Sequence, residues 1–397
     1  MKNLKIAFFG GTFVHEKIAK NCEKLGATCY LLDKSKNCYS SNNANFINID
    51  FNNLSKTISF IKRNKINFLY ISQSDVGLKS IGKINNLLNL PGIDFSNANI
   101  LTNKFLMRKI LKDNGFFQPL FFLYKKSFNK KLLNDKNFLL KPVDSSGSRG
   151  IFDLSKKSAR PKLFKKSLSF SKQKKLIIEE KIEGIEFGAQ TFSVNGSCSF
   201  VVLHEDIMSK INPKIPSGHI MPFKTFSKKK ILEIENKIKK AVNILGVKNG
   251  PCNVDCIYTK KKELFILEVS PRLGATCLPE MLKIYTGIDW DINTIKLYNN
   301  IPIKKIRKSK KINVISRVFE SKISGYLVKY SIKKIIPTSE IKFLTKKSKK
   351  IDKFTDGTKL FGYIVAYSNK RKYLIDGTLK TLKSMKLTIS KFNDNKS

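Results

Sequence analysis

The chain has 397 residues and a formal charge of +46, with 76 Lys plus Arg against 30 Asp plus Glu. That length suits two to four domains with ample core, and a hydrophobic share of 41% with 11% aromatics excludes a disordered polybasic chain. The basic residues are eight Arg and 68 Lys, beside abundant Asn, Ile, Phe and Tyr. A codon bias toward A and T produces that composition whatever the function, so the charge argues only weakly for nucleic acid.

Lys5–Phe9 reads as a short apolar strand ending in Gly10-Gly11. Its apolar run, Ile6–Phe9, is too short for a secretory signal, and no run in the chain approaches the ~20 residues of a membrane-spanning helix. Val14, Ile18, Cys22 and Leu25 share one helical face, closed by Gly26. Strands at Cys29–Leu32, Phe46–Ile49 and Phe68–Ser72 and a helix marked by Leu54, Ile58, Ile61 and Ile66 complete a βαβ rhythm. It predicts a parallel sheet covered by helices.

Two nucleotide motifs are incomplete here. Gly10-Gly11 with Asp33 lacks the rest of a GxGxxG fingerprint, so a tight turn is expected. Gly77–Ile84 matches GxxxxGK but has Ile84 where Ser or Thr is needed, and Leu78, Ile81, Ile84 and Leu88 run through it as one helix face. The seven cysteines (Cys22, Cys29, Cys38, Cys198, Cys252, Cys256 and Cys277) are odd in number and scattered, which predicts reduced thiols and a cytoplasmic setting. Cys252 and Cys256 lack the further ligands of a closed zinc site.

Beyond Leu90-Pro91-Gly92, Thr102 or Asn103 is placed to cap a helix carrying Phe105, Leu106, Ile110 and Leu111. Phe138–Pro142 is a strand leading into Asp144-Ser-Ser-Gly-Ser-Arg-Gly150, where small residues let backbone amides approach an anion, with Lys141 and Arg149 adding charge. Leu176–Glu179 is another strand, and Glu179, Glu180, Glu183 and Glu186 crowd acids into a basic chain. Ile231–Leu245 reads as an amphipathic helix. Asn253–Tyr258 and Glu263–Val269 read as an antiparallel pair on which Asp255 faces Glu268 and Ser270, a hard-oxygen set suited to Mg²⁺. Strands and turns follow from about Ile301, ending in a Lys-rich helix near Gly377–Met385 and a polar tail.

In this order the segments resemble the ATP-grasp superfamily, in the carboxylate–amine ligase branch similar to biotin carboxylase and carbamoyl-phosphate synthetase. The resemblance spans most of the chain and implies an α/β ATP-grasp fold. Residues 1–98 would be an N-terminal Rossmann-like parallel-sheet domain, 99–300 the ATP-grasp domain with a lid at 116–178, and 301–397 a small C-terminal α+β domain. It implies Lys104 and Lys141 as the ATP lysines and Ser145, Ser146, Gly147 and Ser148 as the phosphate loop. The Glu180 carbonyl and Ile182 amide would face adenine, and Glu186, with Glu179, the ribose. Asp255, Glu268 and Ser270 would be the metal ligands, and Arg149, Lys141 and Arg272 the catalytic cations. Arg272 would also bind substrate, together with His219 of the "PSGHIMP" loop.

The family usually has Asn at the position of Ser270, and Asn253 is the residue placed to compensate. The implied activity is an ADP-forming ligase using ATP and Mg²⁺, with Mn²⁺ as substitute, that turns a carboxylate into an acyl phosphate and joins it to an amine. Activation of bicarbonate or of a purine intermediate, and non-catalytic ATP binding, are the alternatives. The implied partners are small molecules, without membrane or nucleic acid, and a homodimer is the default assembly.

Overall fold

The computed structural model describes residues 1–124, 137–155, 160–213, 215–309, 311–345 and 350–390. They form two compact units. The first comprises Met1–Val201, Lys228–Leu273 and Trp290–Lys304; the second comprises Val202–Ser227, Gly274–Asp289 and Lys305–Ser397. No described helix is long and apolar enough to cross a membrane.

The first unit opens with β1 (Lys5–Phe9), α1 (Phe13–Glu23), β2 (Thr28–Asp33), β3 (Phe46–Asn48), α2 (Leu54–Arg63), β4 (Phe68–Tyr70) and α3 (Leu78–Leu88). The strands are parallel in the order β3-β2-β1-β4, as the alternation predicted. Phe8, Leu31 and Tyr70 pack with α1 on one face, while Phe9, Leu32 and Leu69 pack with α2 and α3 on the other. Burial on both faces is why these strands read as continuous apolar runs.

Both incomplete motifs have structural uses. The Gly11 amide donates to Asp33 Oδ2 at 2.8 Å, so Asp33 holds the turn. A Cβ on Gly10 would lie 2.5 Å from the His15 ring, which fills the space above the turn. α3 runs unbroken through "GLKSIGKI", and a Cβ on Gly82 would meet the Phe95 backbone at 2.8 Å. The glycine allows close packing against α4 (Phe95–Leu101).

Next come α5 (Lys104–Asp113) and an antiparallel sheet of β5 (Phe121–Leu123), β6 (Phe138–Pro142), β7 (Phe152–Asp153) and β8 (Leu176–Glu180), in the order β5-β8-β6-β7, with α6 (Arg160–Ser169). Residues 125–136 and 156–159 of the expected lid lie outside the described residues. β9 (Ile185–Val194) turns into β10 (Ser197–Met208). α7 (Lys228–Ile244) precedes the hairpin β12 (Gly250–Tyr258) and β13 (Leu264–Ser270), and α9 (Trp290–Tyr298) completes the unit. Here the strand order is β13-β12-β9-β10.

In the second unit the end of β10 continues through β11 (Pro216–Met221), β14 (Asn313–Val318), β18 (Gly362–Ser368) and β16 (Ser339–Phe343). A smaller sheet pairs β15 (Gly325–Ser331) with β17 (Lys350–Ile351) and β19 (Lys386–Ser390), and α8 (Leu278–Thr286) and α10 (Arg371–Lys383) are the helices. The expected last helix, Gly377–Met385, is corrected to Arg371–Lys383 followed by a strand. Leu387 and Ile389 alternate inward against Phe319 and Phe361, a two-residue period that short length and flanking lysines hide in the sequence. The polar tail, 391–397, lies outside the described residues.

Candidate active site

The site is assembled in the first unit from α5, β6 and the loop after it, β8, the hairpin of β12 and β13, and the segment after β4. Asn103 is the cap of α5: its side chain accepts from the Phe105 and Leu106 amides at 3.1 and 3.2 Å. The cap fixes the first turn and so the direction of Lys104, which is 7% exposed. The Lys104 Nζ donates to the Ser145 carbonyl at 2.6 Å and lies 3.3 Å from Glu268 Oε1. One ammonium therefore joins the loop after β6 to the β13 carboxylate.

That loop is built for close approach. Gly147, Ser148 and Gly150 all have left-handed φ, at 65°, 58° and 76°. Consecutive residues of this kind turn backbone amides to one side and make an anion-binding concavity. A Cβ at Gly150 would lie 2.8 Å from Pro142 and 3.0 Å from Phe170. Asp144 anchors the loop, accepting from Ser171 Oγ at 2.7 Å and from the Gln173 amide at 2.9 Å. Ser145 and Ser146 are half-buried, whereas Gly147, Ser148 and Arg149 are exposed. The Arg149 Nε donates to the Ser146 carbonyl at 3.0 Å, so this Arg braces the loop rather than reaching into it.

Lys141 is buried on β6 and pairs with Glu179 of β8. Glu179 is 1% exposed, and its second oxygen lies 3.2 Å from Arg108 of α5. Burial would raise this carboxyl, but the Arg108 and Lys141 charges hold it at about 2. With both oxygens taken by cations, Glu179 orders Lys141, which corrects its expected place at the ribose. Glu180 closes β8, Ile182 lies half-buried in the following turn, and Glu186 is exposed at the start of β9, opposite Ile257. Arg108, which the sequence reading missed, also donates to the Ile266 and Leu267 carbonyls of β13. Its signal is its rarity: it is one of eight Arg in the chain, on the apolar side of a capped helix.

The hairpin has the expected register: Asp255 opposes Glu268, and Asn253 opposes Ser270. Asp255 is exposed and Glu268 half-buried, so the carboxylates look outward from a well-packed pair of strands. The Asn253 amide nitrogen donates to Asp255 Oδ1 at 2.9 Å, and its oxygen accepts from the buried Gln190 at 2.6 Å. Asn253 thus aims Asp255 and is itself held by Gln190. The two opposed carboxylates have the hard-donor chemistry that Mg²⁺ takes.

Ser270 is buried, and its hydroxyl helps to keep the Asp75 carboxyl ionised. Asp75, in the segment after β4, also holds Arg272 through two parallel bonds of 2.9 Å, Nε to Oδ1 and Nη2 to Oδ2. The Arg272 partner is therefore Asp75, 197 positions away in the sequence. Burial opposes the Asp75 charge, yet the Arg272 guanidinium keeps its carboxyl below the usual carboxylate range. Asp75 was also missed, although an acid just beyond the carboxyl end of a parallel strand is where ligands approach such sheets. Asp75, Lys104, Ser145, Ser146 and Glu268 line one narrow cleft.

His219 lies in the second unit, on β11. Its ring is buried and its Nδ1 lies 2.7 Å from Asp206.

A parallel-sheet portion followed by an antiparallel cover sheet, a glycine-bearing anion loop and a hairpin of opposed carboxylates define an ATP-grasp fold. Residues 101–276 match the ATP-grasp domain family, and this part of the chain is an ATP-grasp domain. No curated protein is significantly similar in sequence. Among solved structures, phosphoribosylglycinamide synthetase from Anaerococcus prevotii aligns at 23% identity and a TM-score of 0.76, covering 98% of this chain and 100% of that one. An L-amino acid ligase from Bacillus licheniformis aligns at 17% identity and 0.80, with the same coverage. The biotin carboxylase domain of 2-oxoglutarate carboxylase from Hydrogenobacter thermophilus, a dimer solved with MgADP and bicarbonate, aligns at 12% and 0.77 over 97% of this chain and 90% of that one.

Proposed function

We propose that the protein is an ADP-forming ligase that activates a carboxylate as an acyl phosphate and joins it to an amine. The observation that carries this reading is the Lys104 ammonium, which touches both the Ser145 carbonyl of the anion loop and the Glu268 carboxylate. A nucleotide phosphate drawn to that loop would lie beside the carboxylate pair, with Lys104 and Lys141 neutralising its charge. Asp255 and Glu268 would hold Mg²⁺, which supplies further charge neutralisation on the phosphates when bound.

In the reaction, an acceptor carboxylate oxygen attacks the γ-phosphorus and ADP leaves. The amine then attacks the acyl carbonyl, and phosphate leaves. Arg272 would meet the acceptor carboxylate with the guanidinium N–H groups that its paired bonds to Asp75 leave over, and Asp75 keeps the guanidinium plane oriented. Glu179 positions Lys141, while Ser145, Ser146, Gly147 and Ser148 supply the amides. The Glu180 carbonyl, the Ile182 amide and Glu186 would meet the nucleoside. Water must stay out because acyl phosphates hydrolyse, and the sheet of β5 to β8 is the cover.

The test is ATP-dependent phosphate release with paired pools of carboxylates and amines, followed by mass analysis of the product. Lys141→Ala and Glu268→Ala should each abolish release while far-ultraviolet circular dichroism stays unchanged, since Arg108 still pairs Glu179 when Lys141 is gone. Full activity in either variant removes the assignment. An acylated amine as product supports the ligase. Release that needs bicarbonate or a purine precursor alone moves the protein to that class, and binding of ATP without turnover marks it as non-catalytic.

A further inference from the structure

Two of the three histidines in the chain meet on one face of the second unit's sheet. His204 and Asp206 stand two residues apart on β10 and therefore point the same way. β11 pairs antiparallel with β10, and His219 lies directly opposite Asp206. The Asp206 Oδ1 is 3.0 Å from His204 Nδ1 and 2.7 Å from His219 Nδ1, and the two rings meet edge to face at 4.7 Å. One ligand atom from each of the three residues lies within 4.8 Å of the others.

This spacing has a chemical meaning. Metal–nitrogen and metal–oxygen bonds of about 2.0–2.2 Å place neighbouring ligand atoms roughly 3 Å apart. The histidine side chains are 2% and 6% exposed, while the Asp206 side chain keeps 15%, so one edge of the group is reachable from outside. Burial opposes the Asp206 charge, but hydrogen bonds from both imidazoles keep the carboxyl ionised.

We propose that His204, Asp206 and His219 bind a divalent first-row transition-metal ion, of which Zn²⁺ is the representative. Two imidazole nitrogens and one carboxylate favour such an ion over Mg²⁺, which prefers oxygen alone. Without the ion, each Nδ1–H donates to Asp206. With it, each ring carries its proton on Nε2 and offers the Nδ1 lone pair, so neutral histidine binds without net proton release. The ion ties β10 to β11, and His219 acts as a ligand in place of the acceptor contact its loop implied.

The experiment uses the full chain, stripped with a chelator and dialysed against Zn²⁺ in excess Mg²⁺, which occupies the all-oxygen pair. Metal per chain is then measured by mass spectrometry. The proposal expects one Zn²⁺ per chain, a zinc-dependent rise in melting temperature, and visible d–d absorption when Co²⁺ replaces Zn²⁺. His204→Gln and His219→Gln, which keep hydrogen-bonding groups and are checked by circular dichroism, should lose all three signals. Cys252→Ser with Cys256→Ser should keep them. Occupancy well below one ion in the unmodified protein overturns the proposal. So does full occupancy in the double histidine variant, or loss in the cysteine variant. Should the histidine variants fail to fold, a Co²⁺ spectrum of the unmodified chain with thiolate charge-transfer bands, or none at all, overturns it equally.

Discussion

The pairing of Arg272 with Asp75 shows how a single residue can be recognised in sequence while its use stays hidden. The Arg was visible because the chain has so few, but its partner lies 197 positions away and no local pattern connects them. A separation of 71 positions likewise hides Arg108 from Glu179. His15 is a third case. Burial pushes its pKa down to about 4 against a weaker opposing pull from Asp33, so the ring is neutral in the folded chain. The unfolded chain binds a proton there near pH 6.5 and the folded chain does not, so stability is complete above that pH and falls between about 6.5 and 4. Glu179 adds a loss below about 4.5 that continues to its folded value of about 2. Stability measured by urea unfolding should therefore fall from pH 7 to pH 5 in the unmodified chain, by roughly 2 kcal/mol from His15 alone. His15→Gln should flatten that slope. An equal slope in the variant would show that the titrating group lies elsewhere.

At the scale of elements, α5 is the piece that positions most of the site. Its cap sets Lys104, and one turn later Arg108 reaches Glu179 on β8 and two carbonyls on β13. Arg108→Met should destabilise the chain by about 3 kcal/mol, because it strips a cation from a buried carboxylate and leaves two carbonyls short of a donor. Equilibrium unfolding in urea measures it, and a loss under about 1 kcal/mol would mean that Lys141 alone satisfies Glu179. Much of this element was legible beforehand: Asn103 before an apolar face with period near 3.6 announces the start of a helix. The hairpin of β12 and β13 was legible for a similar reason, since alternation fixes which side chains share a face, and Asp255 and Glu268 do oppose each other. What local patterning lacks is any record of which distant group takes a side chain's second hydrogen bond. Glu179 was therefore given a wider role than its filled partners allow. β19 was missed because five residues between lysines carry too little periodicity to compete with a preceding helix.

For the molecule as a whole, the charge of +46 is a physical load even where it has no ligand. Like charges on a compact body repel, and salt screens them as the Debye length shortens. The melting temperature should rise by a few degrees between roughly 20 and 300 mM potassium chloride. A flat or falling curve would mean that local ion pairs, which salt weakens, outweigh the net repulsion.

The filled space above the first strand has a consequence for what this fold can become. The His15 ring stands where a Cβ on Gly10 would go, and the Cys38 sulfur stands 2.4 Å from where one on Gly11 would go. A dinucleotide would find no vacancy there, even with every fingerprint glycine restored. Redesign toward nicotinamide binding would have to empty the crevice of His15 and Cys38 before adding glycines. Random drift toward the fingerprint alone would yield a motif that scores well and binds nothing.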